Sequence, residues 1–354
     1  NLNKKNPIAY KNLGDLYRRK NELDKAAINY KNAYKFDNKN YEIKKGLSLV
    51  LLKQKKYESA WKFYESRLFS RQHQSLFFSK IKKHILSNSI LKNDRIAIIS
   101  EQGLGEHILF SSLYNNVIKL NKRLIFIIDE RLKTLFKRSF GDFEFIDKKN
   151  INRIDELISE NYKFMYAGSL GQYFRKSLND FDGEPFLNAD EEKINKYKSL
   201  LANHGFKKYV GISWKSSTKN HGDKSLKLQD LAPLFNTENV GFINLQYGEV
   251  DDDIKKAGLD KRIINIDDLD LYNEIDDVIT LTKCLDLIVT SPNVNVHFAG
   301  SVGKKCIVLS PLYNEVFLYS DLNDGKCEWY KNQKTIIINN NLDSILEELN
   351  NTFK

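Results

Sequence analysis

Three short segments carry residues whose types and spacing fit them for chemistry. The first, Ser100-Glu101-Gln102-Gly103-Leu104-Gly105-Glu106-His107, follows an apolar run and opens a helical pattern. Gly103 and Gly105 let backbone amides approach an anion at a helix N-terminus, although the pattern is GxG and not the longer GxGxxG. The acid and imidazole next in line, Glu106 and His107, are both placed to take a proton from an acceptor hydroxyl at the mouth of a cleft. The second segment, Ser213-Trp214-Lys215-Ser216-Ser217-Thr218-Lys219, leaves a strand directly into polar residues. Lys215, with the hydroxyls of Ser216 and Ser217 beside it, is placed to meet phosphate oxygens. The third runs from Thr290 to Lys304 and joins an apolar strand to a helix. Its free amides and positive dipole end suit a pyrophosphate, and Ser291, Asn293 and Asn295 can cap or donate. His297, one turn into that helix, is by itself a common kind of core residue, and only its company argues for a ligand.

These segments need rigid elements to hold them. From Arg95 onward short β-rich runs alternate with amphipathic helices, as in parallel sheets built from βαβ units. Strands are expected at 95–100, 124–129, 143–147 and 163–168, then at 209–214, 241–246, 262–267, 286–290, 305–310 and 335–339. A polar stretch over 180–198 divides the two series. The fold class is therefore α/β with two doubly wound, Rossmann-like domains, and ligands are expected in a cleft at the carboxyl ends of their strands.

The N-terminal region has a different period. Tyr10, Leu13, Gly14, Tyr17, Ala26, Tyr30 and Ala33 form two facing helical stripes, with Asn21 in the turn between them. The spacing resembles the 34-residue tetratricopeptide repeat. A second, weaker copy falls on Leu47, Ser48, Leu51, Ala60 and Tyr64, 34 residues further on. Two repeats seldom stand alone, so they must continue upstream or pack on the domain C-terminal to them. The expected organisation is repeats over 1–70, a linker over 71–93, an acceptor-side domain over 94–200, a nucleotide-sugar domain over 201–340 and a closing helix over 341–354.

Composition sets the outer bounds. With 354 residues, 41% apolar and 29% charged, the chain is neither disordered, collagenous nor coiled coil, and it is long enough for two or three domains. No run approaches the roughly 18 apolar residues of a membrane span. Cys284, Cys306 and Cys327 fit neither a disulfide framework nor a zinc site, which points to a reducing, cytoplasmic setting. The chain opens on Asn1 and its one methionine is Met165, so upstream sequence is expected. Asp268-Leu269-Asp270 matches a metal-binding Asp-x-Asp but lies in an Asp-rich turn, and no metal or other cofactor is expected. Residues 1–93 hold 22 Lys+Arg against 7 Asp+Glu, a balance of +15, and the remainder carries 34 against 39, or −5. A basic segment of this kind attracts an acidic protein or an anionic surface, or is a solvated lysine face.

The pieces EQGLGEHI, VGISWKSSTKNHGDKSLKLQDLAPLF, FINLQYGE and LDLIVTSPNVNVHFAGSVGKKCIVLSP, with Trp329-Tyr330 near the end, occur in the order seen in bacterial tetratricopeptide-repeat glycosyltransferases. The chain thereby resembles the family 9 heptosyltransferases and the O-linked N-acetylglucosamine transferase family. The resemblance implies a GT-B architecture and metal-independent transfer of a sugar from a nucleotide-sugar donor. It places the catalytic base in the first glycine loop, and the donor nucleotide on the Lys215 and His297 segments and Gln246. The relatives usually carry Asp where Glu106 stands, and often Asp-Thr-Ser where Ser291-Pro292-Asn293 stands. An acidic protein acceptor recruited by the repeats is the expected partner, and nucleic acid is not. The alternatives are a catalytically silent repeat scaffold, and a lipopolysaccharide or surface-glycan transferase in peripheral contact with a membrane.

Overall fold

The computed structural model describes residues 5–69, 76–86, 94–101, 103–216, 224–310, 325–337 and 343–353. They form two compact units, one of residues 1–130 and 143–181, the other of residues 131–142 and 182–354. Among the described residues no helix is long and apolar enough to cross a membrane.

The first unit begins with four helices, α1 (Pro7–Arg19), α2 (Leu23–Phe36), α3 (Tyr41–Lys53) and α4 (Tyr57–Tyr64). Their ends recur at an interval of 34 residues. Asn6 and Asn40 cap α1 and α3, their Oδ1 atoms accepting from Ile8 and Ala9 at 3.0 and 3.3 Å, and from Glu42 and Ile43 at 3.1 and 3.4 Å. Asn21 and Lys55 each turn the chain with φ of 58°. The amides that close these turns bond to Arg18 and Tyr17 in the first case, and to Leu52 and Leu51 in the second. Between the hairpins the fully buried Tyr30 ring lies against both Gly14 and Gly46, where a Cβ on Gly46 would overlap it.

The helices merge into a parallel sheet of β1 (Ile96–Ile99), β2 (Leu124–Ile128), β3 (Glu144–Asp147) and β4 (Lys163–Tyr166), ordered β3-β2-β1-β4. β1 is buried throughout, its Ile98 lying between Phe126 and Met165. Leu68, just beyond α4, joins the core under this sheet with Ile81, Ile99, Ile127 and Phe164. Trp61 of α4 is 1% exposed and donates to the Arg175 carbonyl at 2.7 Å, with its ring against Gly171. β4 is shorter than expected because residues 167–170 coil into a 3-10 turn.

The second unit is a parallel sheet of β5 (Lys208–Ser213), β6 (Val240–Asn244), β7 (Ile263–Ile264), β8 (Leu287–Thr290), β9 (Cys306–Ser310) and β10 (Gln333–Ile337), ordered β10-β9-β8-β5-β6-β7. Apolar clusters cover its two faces, one around Ile212, Phe242 and Val289, the other around Ile243, Ile288 and Val308. β7 keeps two residues instead of six, since Asn265 turns to bond Asn244. Ile345 of the closing helix Asp343–Phe353 completes the first of these clusters. Segment 131–142 belongs here through Arg138, which pairs with Asp276 and Asp190.

Candidate active site

In both sheets the strand order reverses beside the first strand, and at that switch point the loops leaving two neighbouring strands diverge. In the first unit these are the loops after β1 and β4. Glu101, two residues past the end of β1, is 3% exposed and accepts from the Gly168 amide of the β4 loop at 2.8 Å. Its ion partner is Arg67, from the turn after α4, at 2.7 Å. Arg67 also reaches Glu65 at 2.9 Å and Ser169 at 3.2 Å, and its guanidinium lies 4.3 Å from the centre of the Tyr64 ring.

Gly103 caps the helix Leu104–Ser111 in an extended conformation, and Gly105 and Glu106 fall in its first turn. Glu106 is partly buried, and desolvation, followed by the charge of Glu101, pushes its carboxyl up to about 7. Arg67, the Gly103 amide and Lys45 pull in the other direction. His107, one residue on, is 1% exposed, and its Nε2 contacts the Glu101 carbonyl. Burial lowers it to about 4, which leaves the ring neutral near pH 7. The helix thus brings a carboxyl able to exchange a proton near neutrality together with a histidine turned into the core.

At the switch point of the second unit, the loops after β5 and β8 share a buried polar cluster. Asn293 accepts from the Asn295 amide at 2.9 Å and so caps the helix Val294–Ser301. Its Nδ2 donates to Ser213, to the Lys215 carbonyl and to Ser291 at 3.0, 3.1 and 3.3 Å. Asn295 donates to Ser213 and to the Leu245 carbonyl at 3.0 and 3.1 Å, while its Oδ1 is buried with no hydrogen-bond partner among the described residues. Gln246 accepts the amides of Trp214 and Lys215 at 3.0 and 2.7 Å. Ser216 lies beside this cluster, its amide bonded to Ser225 at 3.2 Å, and Ser217 falls outside the described residues. The Lys215 ammonium pairs with Asp253, which also accepts from the Trp214 indole at 3.4 Å. His297 is buried against Tyr330, its Nδ1 2.9 Å from the phenol oxygen, and burial lowers it to about 3.

Beside this cluster a cavity of about 300 Å³ opens past the ends of β6 and β7, its polar lining including Asn244, Gln246, Asn265 and Asp270. Asp270 spends its oxygens on its own turn, accepting from the Tyr272 and Asn273 amides at 2.8 and 3.0 Å and from the Asn273 side chain at 2.7 Å. Among the described residues no three His, Cys, Asp or Glu side chains gather as a metal site.

Two sets of expected residues therefore come together. Gly103, Gly105, Glu106 and His107 sit at one switch point, and Lys215, Ser216, Gln246, Ser291, Asn293 and Asn295 at the other. His297 stands one turn along, on Tyr330. Sequence reasoning missed Arg67, Glu101 and Asp253. Glu101 lies within the first glycine motif, and an acid just past the end of a buried strand was the signal that could have found it. Arg67 and Asp253 reach their partners from 34 and 38 residues away, and no local pattern marks them.

No family model matches the chain. A curated relative, Protein FlbA of Caulobacter vibrioides, is 26% identical over 279 residues, covering 74% of this chain and 46% of FlbA. The chain thus spans less than half the length of the curated relative it matches. Among solved structures, the E. coli ADP-heptose lps heptosyltransferase II superposes with a TM-score of 0.53 at 13% identity, covering 73% of this chain and 98% of that one. A glycosyl transferase family 9 protein from Veillonella parvula DSM 2008 gives 0.51 at 11% identity, with 75% and 93% covered. The paired parallel sheets are a fold this chain shares with those transferases.

Proposed function

We propose that this chain is a GT-B glycosyltransferase that moves a sugar from a nucleotide-sugar donor to an acceptor hydroxyl without a metal. The observation that carries the reading is Glu106, a carboxyl raised to about 7 in the first helical turn at the switch point of the first sheet. A base whose pKa matches the working pH combines availability with driving force. In the reaction, the acceptor oxygen bonds to the anomeric carbon as the bond from that carbon to the donor phosphate oxygen breaks. The electron pair leaves on the nucleoside diphosphate, and the acceptor proton passes to Glu106. Lys215 and the amides that open the helix Val294–Ser301 suit the leaving diphosphate, whose growing charge such donors stabilise. The cavity beside β6 and β7 suits the rest of the nucleotide. The 34-residue recurrence of caps and turns supports a tetratricopeptide-type array in α1 to α4, and we assign it the recruitment of an acidic protein acceptor.

Thermal shift and release of nucleoside diphosphate, measured against a panel of ADP-, UDP- and GDP-sugars, test this. ADP-sugars head the panel because the heptosyltransferase neighbour is named for ADP-heptose. A stabilising donor that is also turned over is the expected result. Lack of both, with a folded protein and every donor, would overturn the reading. The Lys215–Asp253 pair favours a second reading, in which the chain is a repeat-bearing scaffold whose phosphate-facing lysine is held by its own carboxylate. Donor binding without turnover is its signature.

A further inference from the structure

The groups whose charges act on Glu106 come from more than the helix that carries it. Glu101 comes from the end of β1, Arg67 and Tyr64 from the end of the helical segment, and Lys45 from α3. The Arg67 and Glu101 side chains are only 8% and 4% exposed, and two guanidinium nitrogens approach the carboxylate, at 2.7 and 3.4 Å. A bidentate buried pair of this kind is held in register by its geometry as well as its charge. Two carboxylates near each other cannot both ionise freely, and whichever has the cation surrenders its proton first.

We propose that Arg67, carried in from the helical segment, is a positioning residue of the active site: by committing Glu101 to an ion pair at the switch point, it leaves Glu106 as the carboxyl that exchanges the proton. The inference rests on the reading of Glu106 as the base. It makes the second helical hairpin a structural part of the site that handles the acceptor proton. Without the guanidinium, Glu101 would compete for that proton, and the two acids would titrate as a coupled pair.

The test reads Glu106 directly. In full-length protein labelled with ¹³C at the glutamate carboxyls, the Glu106 signal is assigned by its loss in Glu106→Gln and tracked against pH, with circular dichroism as the folding control. From a parent midpoint near 7, Glu101→Gln should lower the midpoint by about one pH unit, because a neighbouring negative charge has gone. Arg67→Met should raise it by a similar amount. Should Arg67→Met not fold, because it leaves a carboxylate buried and unpaired, Arg67→Lys carries the test, since it keeps the charge and loses the two-nitrogen grip on Glu101. In either variant the Glu101 signal, assigned by its loss in Glu101→Gln, should titrate together with that of Glu106 as a coupled pair. A Glu106 signal that still titrates alone in the folded variants would overturn the proposal. The acid limb of turnover should move with the midpoint in each folded variant. A midpoint that responds while Glu106→Gln leaves turnover intact would instead overturn the base assignment and leave the coupling standing, so the two failures are told apart.

Discussion

Glu106 accepts a proton near neutrality only because its surroundings disfavour its charge, and that cost is visible in two measurements. Glu106→Gln should cut turnover by roughly 10² to 10⁴ and spare donor affinity, because a proton acceptor acts in the transition state. Turnover of the parent should rise with pH through about 7, and a profile flat across that range would remove Glu106 from the chemistry. The second measurement is stability. The folded pKa of Glu106 lies above its ordinary 4.5, so its contribution is full below pH 4.5 and lost as pH rises through about 7. His107 and His297 act in the opposite sense. Burial depresses both, to about 4 and about 3, so their contribution is full above 6.5 and lost as pH falls toward those values. Unfolding free energies from denaturant melts between pH 4.5 and 7 should therefore fall more steeply on acidification in Glu106→Gln than in the parent, by about 1 kcal/mol per pH unit. Parallel curves would mean that the folded protein does not hold that proton.

The loops at the strand ends decide what the second sheet can bind, and there Lys215 has a competitor. Lys215→Ala should weaken a nucleoside diphosphate by about ten- to hundredfold relative to the bare nucleoside, the scale of one charge-assisted contact. Asp253→Asn should tighten the diphosphate, since it removes the carboxylate now paired with Lys215. Calorimetric titration separates these outcomes, and equal losses for nucleoside and diphosphate would place Lys215 away from the phosphates. Glycines in the elements are tested by stability alone. Gly46→Ala would drive a methyl into the Tyr30 ring and should cost about 1 to 3 kcal/mol in a denaturant melt. Much of this level was legible in the sequence. Short apolar runs located the strands among the described residues, because a strand buried on both faces has to be continuously apolar, as Ile96–Ile99 is. Gly14, Ala26, Tyr30 and Ala33 marked the helical contacts for a similar reason, since only small residues let a tyrosine lie between helices. The ends were less legible: β7 stops at Ile264 through a side-chain bond between Asn265 and Asn244, whose partner is 21 residues away. The polar partners were legible only as types. Nothing in the residues around Lys215 or Glu101 says that Asp253 or Arg67 will arrive from a distant element.

At the scale of the whole chain, the +15 balance of residues 1–93 predicts that an acidic acceptor associates with the helices faster at low salt. Raising ionic strength from about 0.01 to 0.15 M shortens the screening length from roughly 30 to 8 Å, so acceptor association should slow while donor binding changes little. Replacing the exposed Lys20, Lys31, Lys35 and Lys39 with glutamine should flatten that salt dependence and leave turnover at saturating acceptor unchanged. An unaltered salt response would mean that these lysines are a solvated face. Deleting the helices is a harsher operation, because Trp61 and Leu68 are built into the first unit and Arg67 carries the charge opposite Glu101. That interlocking bears on how such chains can be recombined. A junction between helices and sheet drawn just after residue 69 would bring foreign side chains to the places of Trp61 and Arg67, and the transplanted sheet would inherit a buried acid with no cation. A junction ahead of α3 preserves Tyr30's neighbour Gly46 as well as both anchors, so hairpins can be gained, lost or exchanged upstream while the last one travels with the sheet. Under the proposed function, reach toward new acceptors is then free to diversify by shuffling, and the piece that carries Arg67, Glu101 and Glu106 is inherited whole.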